Sequence, residues 1–382
     1  MNTKESKKNK GQEYAENVAN ELIKHLQAGT APWQRPWTPD IGFDLPYNHI
    51  TGNVYSGTNN LMLMMQMYDD PRWMTYKQAQ SVDAQVRKGE KGVGLIRLIT
   101  HVEKTKRDEQ NKPVLDADGN TVKEYAVLPQ PIIKSFTVFN GEQIEGIPEY
   151  DRKPVQYDWE PSEKAEAILL ASKARIDVHP LYHPSYNPDS DMINLPEKGQ
   201  FPSQEFYYAT ALHELGHWTG HPSRMDRDLT GKFGSENYAK EELRAEITSL
   251  MLSRELGLPH DIGQHAAYVQ SWIQVLKDDP MEIVYASKDA QRMKDYIQSF
   301  ERNQVIQQDI LNLKETFHQQ SGLLPTKEQQ YRQTLESFMD KATLGLSDVA
   351  KQQSQLNFYQ NQIQEISQGT KQPSLFDVDV DR

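Results

Sequence analysis

His213-Glu214-Leu215-Gly216-His217 decides how this chain is read. On an α-helix, residues four apart share one face, so both imidazoles reach a single ion. Glu214 sits beside them, a third of a turn away, placed to hold and deprotonate a metal-bound water. The lead-in Phe206 to Leu212 sets Tyr208, Leu212 and Leu215 at helical spacing, after Pro202-Ser203 as a helix start. The helix is expected to stop near Gly220, ahead of Pro222, and Gly216 to leave its face bare where the metal or a second backbone approaches.

Two His ligands with a Glu that serves as base rather than ligand is the zincin arrangement, and it needs one carboxylate from elsewhere. A second helix, from about Lys240 to Leu256, carries Glu241, Glu242 and Glu246 beside an apolar stripe of Leu243, Ile247, Leu250 and Met251. Glu242 and Glu246 are four apart, so one can bind the metal while the other fixes the tautomer of a ligand His. Glu242-Leu243-Arg244-Ala245-Glu246 resembles a Glu-x-x-Ala-Asp/Asn pattern of gluzincins in which the first Glu is the ligand. That favours Glu242, with Glu246 behind it as the alternative. His221 continues the row of histidines but falls past the expected helix end, where it reads as a rim residue. The expectation is therefore a zinc metallopeptidase site: His213, His217 and Glu242 around Zn2+, with Glu214 as general base.

The composition narrows the rest. The 382 residues contain no cysteine, so the chain has no disulfide framework and any zinc site must use His and carboxylate. The N-terminus is charged without an apolar run, no stretch approaches a membrane span, and mean hydropathy is -0.77. These features predict a cytoplasmic protein with no membrane partner. A net charge of -12 argues against general polyanion binding, so nucleic acid would need a local basic surface.

Such a surface is written into residues 72–107, where nine basic residues, Lys77, Arg87, Lys88 and Lys91 among them, face three acidic ones. Trp33, Trp37, Tyr47, Tyr55, Trp73 and Tyr76 are interleaved or close by. Cations that track phosphates and flat rings that stack on unpaired bases are what single-strand binding requires. The bland reading stands beside it: tryptophans next to Pro32 and Pro36 are more often core plugs in a small domain, and a basic turn is usually just solvated.

Along the chain, residues 11–28 form an amphipathic helix ending at Gly29, and a Met-rich apolar helix spans 59–68. A helix is predicted over 77–88, then strands over 93–103 and 124–139 joined by a polar excursion with a hairpin signal at Asp118-Gly119-Asn120. Asp116 and Asp118 belong to that turn rather than to a calcium loop. A helix from 162 to 175, a short strand at Ile176-Asp177-Val178 and a strand within Ser190–Pro196 precede the histidine helix. The last strand is expected at a sheet edge, where it would bind a peptide by strand addition. Helical segments over 261–276 and 281–303 place Trp272 and Ala286 on their apolar sides.

Over about residues 11–300 the chain resembles the ArdC-type antirestriction proteins of mobile elements. The resemblance rests on Pro32-Trp33-Gln34-Arg35-Pro36-Trp37, on residues 48–57 and 72–79, on Arg87-Lys88-Gly89-Glu90-Lys91-Gly92 and on Val138-Phe139-Asn140. In the second half it rests on 213–221, 238–246 and 268–276 with Asp279. It implies an α+β protein of two domains: a small N-terminal single-stranded-DNA-binding domain and a mainly helical zincin-like domain with a short sheet. It also implies protection of incoming DNA from host restriction. The DNA-binding residues that match and suit the chemistry are Trp33, Trp37, Tyr55, Trp73, Lys77, Arg87, Lys88 and Lys91. The expected boundaries are a disordered 1–10, a DNA-binding domain 11–147, a linker 148–161, a peptidase domain 162–303 and an extension 304–382. The excursion at 104–123 and the extension depart from the resemblance.

Sixteen glutamines between Gln304 and Gln372 mark the extension as partly disordered. It closes on Gln372-Pro373-Ser374-Leu375-Phe376, similar to the motif by which bacterial proteins dock on the replicative sliding clamp, an expectation that a Leu375→Ala, Phe376→Ala variant tests by clamp binding. Two function classes follow, with a third, weaker one in which the protein is an accessory recruited to the replication fork through its tail. One is a DNA-targeted peptidase acting on an unknown protein substrate. The other is a single-strand binding protein that protects by occupancy, its zinc domain structural or inactive.

Overall fold

The computed structural model describes residues 9–34, 45–108, 110–116, 119–150, 161–258 and 268–300. Trp37 and the Gln372–Phe376 pentapeptide lie outside the described residues. The chain divides into two compact units, residues 1–169 with 174–294, and residues 170–173 with 295–382. Of the second, the described residues are helical apart from a turn at Lys173, with the Tyr296 and Phe300 rings 4.9 Å apart. All that follows belongs to the first.

Helix α1 (Lys10–Ala28) is capped by the Asn9 side chain and stopped by Gly29 in the left-handed region, whose N–H returns to the last carbonyls. Its apolar stripe, Tyr14, Val18, Leu22 and Leu26, is buried. Helix α2 (Gly57–Met65) is the Met-rich segment, and a buried core is its use: Leu61, Leu63, Met64 and Met65 are buried. The helix expected over 77–88 is shorter. Thr75 opens α3 (Tyr76–Ser81) with a capping box, but the chain then turns through Asp83 in a left-handed conformation into strand β3 (Gln85–Val86). Strand β3 pairs with β6 (Ile144–Glu145).

The other N-terminal sheet runs β1 (Tyr47–Asn48), β2 (Arg72–Met74), β5 (Lys123–Asn140), β4 (Val93–Thr105). Strands β4 and β5 form a long antiparallel ribbon whose register slips between Ile99 and His101. Pro129 and Pro131 fall at that irregularity, where a residue without an N–H is tolerated.

In the second half, α4 (Pro161–Ser172) leads into β7 (Arg175–Val178), β8 (Ser185–Asn187) and β9 (Met192–Leu195). The sheet order is β7-β9-β8, so the strand expected at an edge is the central one. The reason is β8, too short between Pro184 and Pro188 to show in the sequence, which turns back through Asp191 in a left-handed conformation and covers that edge. Helix α5 (Gln204–Trp218) begins after Ser203 as expected. Helix α6 (Glu236–Leu256) begins earlier than expected because Ser235 accepts from the Tyr238 N–H, and ends at Gly257 in the left-handed region. Helix α7 (Val269–Asp278) and a helical stretch follow, residues 282–294 of that stretch belonging to this unit.

The two halves share a core. Val18, Leu22 and Trp33 pack in one cluster with Leu61, Leu243, Ile247, Met251, Trp272 and Ile283. The N-terminal helix is thus part of the floor on which α6 is fixed, and α6 carries the carboxylates of the site. No helix of the described residues is long and apolar enough to cross a membrane.

Candidate metal centre

Helix α5 presents His213 and His217 on one face, their rings nearly perpendicular with centroids 4.9 Å apart. Helix α6 packs across that face, Ala245 opposite Gly216. A Cβ at Gly216 would meet Ala245 and Met293 at 3.5–3.9 Å, ordinary contact, so the glycine is not required for the approach. Glu242 reaches both imidazoles: its Oε2 lies 3.6 Å from His213 Nε2 and its Oε1 3.6 Å from His217 Nε2. One donor atom from each of the three residues fits within 4.8 Å of the others. Ligands held tetrahedrally at roughly 2.0–2.2 Å from an ion are themselves about 3.3–3.6 Å apart, so the donor set fits a divalent ion such as Zn2+.

The remaining imidazole nitrogens also face carboxylates. His217 Nδ1 lies 3.2 Å from Glu241 Oε1, and His213 Nδ1 lies 3.8 Å from Glu246 Oε2. The Glu241 contact is a hydrogen bond and directs Nε2 of His217 toward the ligand position, whereas Glu246 meets His213 at ion-pair distance only. Glu246 lies beside His213 without hydrogen-bonding to it, and the carboxylate that does hydrogen-bond a histidine of the pair through Nδ1 is Glu241, which the spacing argument does not single out. Three glutamates within six residues share one helix, and sequence cannot say which of them a given ring nitrogen meets. Nor does it show Arg227. That guanidinium donates to both oxygens of Glu241 at 2.7 and 3.1 Å, to the Gly216 carbonyl at 2.9 Å and to Thr219 Oγ1 at 2.7 Å. His221 stands apart from the ligand set, its Nδ1 2.8 Å from Ser223 Oγ.

Charge is balanced inside the site. Burial alone would depress the pKa of His213, but the Glu242 carboxylate beside it, with Glu214 and Glu246 near, holds the imidazolium up to about 9. Burial would raise Glu242, yet His217 and His213 pull it down to about 2. Glu214 is buried and its carboxyl is pushed up, chiefly by desolvation, while the Tyr186 main-chain N–H donates to it. A carboxylate raised by burial next to a metal site is suited to take a proton. The Tyr238 hydroxyl hydrogen-bonds to Glu242 and lies 3.3 Å from the Tyr268 hydroxyl.

The residues expected to bind DNA separate into two groups. Trp33 is fully buried against Trp272, centroids 5.9 Å apart, and Trp73 is buried against Tyr68 at 5.5 Å. Neither ring has a free face for a base, so the stacking role is corrected to core packing at both positions. Tyr55 is half-buried, its hydroxyl accepting from Asn48 at 3.3 Å. Lys77, Arg87, Lys88 and Lys91 are exposed, and Arg87 is paired with Glu90 at 3.0 Å.

Comparisons with known proteins agree across both halves. Residues 12–139 match the family described as the N-terminal domain of anti-restriction factor ArdC, and residues 163–289 the family described as zincin-like metallopeptidase. The chain is similar to the antirestriction protein ArdC of plasmid R388. Against its metal-free crystal structure the TM-score is 0.59 at 35% identity, covering 76% of this chain and 98% of that one. Against its Mn(II)-bound structure the TM-score is 0.58 at 34% identity, covering 75% and 97%. A DNA primase TraC of Escherichia coli is 54% identical over 297 residues, 77% of this chain but 28% of the primase, so the chain spans less than a third of that relative's length. The uncharacterized protein y4eC of Sinorhizobium fredii is 33% identical over 289 residues, 74% of this chain and 90% of that protein.

Proposed function

Since the chain belongs to the ArdC family of antirestriction proteins, we propose that it binds single-stranded DNA and hydrolyses a peptide bond of a protein substrate at a zinc site, protecting incoming DNA from host restriction. The observation that carries the hydrolytic reading is the convergence of His213, His217 and Glu242 with a buried Glu214 that is no part of the ligand triangle. A purely structural ion has no use for a base beside it.

His213, His217 and Glu242 would hold the ion; two nitrogens and a carboxylate suit Zn2+, and the same donors accept Mn(II). When bound, the ion supplies an acidified water and a Lewis acid for the carbonyl oxygen under attack. Glu214 takes the proton of the attacking water and returns it to the leaving amine. Glu241 keeps the His217 imidazole oriented through Nδ1, and Glu246 supports His213 by its charge. The Tyr238 hydroxyl, already directed at Glu242, is the assigned donor to the oxygen of the scissile carbonyl, with Tyr268 behind it.

Glu214→Gln tests this reading. The variant should keep its metal while cleavage falls by about 10²–10⁴-fold; undiminished cleavage would remove Glu214 from the mechanism. If the variant still protects incoming DNA fully, protection comes from occupancy by the DNA-binding face instead. The exposed cations, which do not depend on Glu214, support that second reading.

A further inference from the structure

The sheet edge beside the site is short of donors. In an antiparallel strand, alternate residues turn their main-chain groups toward the partner and away from it. Tyr186 pairs with Ile193 of β9 in register, yet its N–H donates to Glu214, so the outward edge of β8 faces the site. The residues two before and two after it on that edge are Pro184 and Pro188, neither of which has an N–H. A polypeptide laid along β8 would meet carbonyls and no unspent main-chain donor. Strand addition needs both.

Beside the ligand set lies an aromatic shelf. Tyr238, hydrogen-bonded to Glu242, has its ring 5.8 Å from Tyr268 and 5.5 Å from Phe233, and Phe233 lies 6.1 Å from Tyr268. Phe233 is 76% exposed. Its position is built in: a Cβ at Gly231 would overlap the Tyr238 main chain, and Gly234 is in the left-handed region at φ 82°, so the loop folds directly onto the first turn of α6. A lone exposed Phe is ordinary. One that continues an aromatic row from a metal-ligand carboxylate offers a side chain a place to bind.

We propose that Phe233, Tyr238 and Tyr268 form a subsite for a large apolar side chain, aromatic or long aliphatic, next to the bond to be cleaved in an unfolded polypeptide, and that this subsite rather than strand addition on β8 gives the substrate its hold. The proposal rests on the peptidase reading above. It predicts selection by side chain and little selection by main-chain pairing.

The test uses the full-length Glu214→Gln protein loaded with zinc and titrated with fluorescent Gly-rich peptides carrying one Phe, Leu, Ser or Asp. Phe and Leu peptides should bind at least about tenfold tighter than Ser and Asp peptides. Adding Phe233→Ser should erase that preference with zinc content unchanged. Equal binding of all four, no binding of any, or a preference that survives Phe233→Ser overturns the subsite. If the protein with Glu214 intact cleaves none of these peptides while the preference persists in the Glu214→Gln variant, the subsite stands and the peptidase reading falls. Cleavage with no preference for Phe or Leu overturns the subsite alone.

Discussion

Where α6 crosses α5, every ring nitrogen of His213 and His217 has a carboxylate oxygen within 3.8 Å, and Glu241, Glu242 and Glu246 are buried. On the N-terminal face, Lys77, Lys88 and Lys91 stand in solvent, and the rings expected to work beside them, Trp33 and Trp73, are inside. One region is assembled before any ligand arrives: its charges were desolvated during folding and the partners are fixed. The other keeps its charges hydrated and adjustable, which the proposed contact with a phosphate backbone in many registers would require. Substitutions should therefore act on fold and metal together in the first region, and on salt-dependent affinity in the second.

The sharpest way to break this contrast is through the tryptophans. If Trp33 and Trp73 are core, then Trp33→Ala and Trp73→Ala should each destabilise the protein by about 3–5 kcal/mol. The loss would appear in urea unfolding without DNA. Any loss of DNA affinity should then disappear where the variant is fully folded. Reduced affinity in a variant of unchanged stability would return the ring to the DNA surface.

Next in size is Arg227. Replacing it with Met leaves the buried Glu241 carboxylate with only His217, and breaking one side of a buried pair costs on the order of 3 kcal/mol. Loss of orientation at Nδ1 should also weaken metal binding by about 10–100-fold. Metal affinity of the folded variant, measured by competition with a chelator, checks it. Unchanged affinity would make Arg227 a brace for the 220–230 loop alone.

The site's protons give a pH dependence whose two signs oppose each other. In the metal-free protein the His213 imidazolium is raised to about 9 from the usual 6.5, so it stabilises the fold fully below pH 6.5 and that contribution is lost as pH rises through 9. A metal needs the neutral ring. Its affinity should rise about tenfold per pH unit for each proton displaced, levelling near pH 9. A flat profile between pH 6.5 and 9 would mean that His213 holds no proton in the metal-free site.

These contrasts also show what a sequence can carry. The histidine pair was legible because its geometry is local: four residues on one helix need no tertiary knowledge. The same rule puts Glu242 and Glu246 on one face of a second helix, and the choice of Glu242 between them rests on the resemblance to the gluzincin pattern. Glu241 did not follow from it, since its partner is set by how α5 and α6 cross. Strand β8 was hidden by its length between two prolines, and with it the central place of β9. Trp33 was ambiguous for another reason. Stacking on a base and plugging a core ask for the same ring beside the same proline, and only Trp272, far downstream, decides between them.

The smallest expected effect is the one that defines the second region. Lys88 and Lys91 flank the Gly89-Glu90 turn and are exposed, whereas Arg87 is already paired with Glu90, so the two lysines isolate the cationic contribution without disturbing an ion pair. A lysine that neutralises one phosphate of a single strand adds about 0.7 to the slope of log affinity against log salt. The Lys88→Gln, Lys91→Gln variant should therefore lose about 1.4 from that slope and about tenfold in affinity at low salt, nearly independent of sequence, with thermal stability and metal content unchanged. An unchanged slope would place the strand on another face, and the exposed ribbon of β4 and β5, with Arg97, Lys104 and Lys134 along it, would be the next surface to substitute.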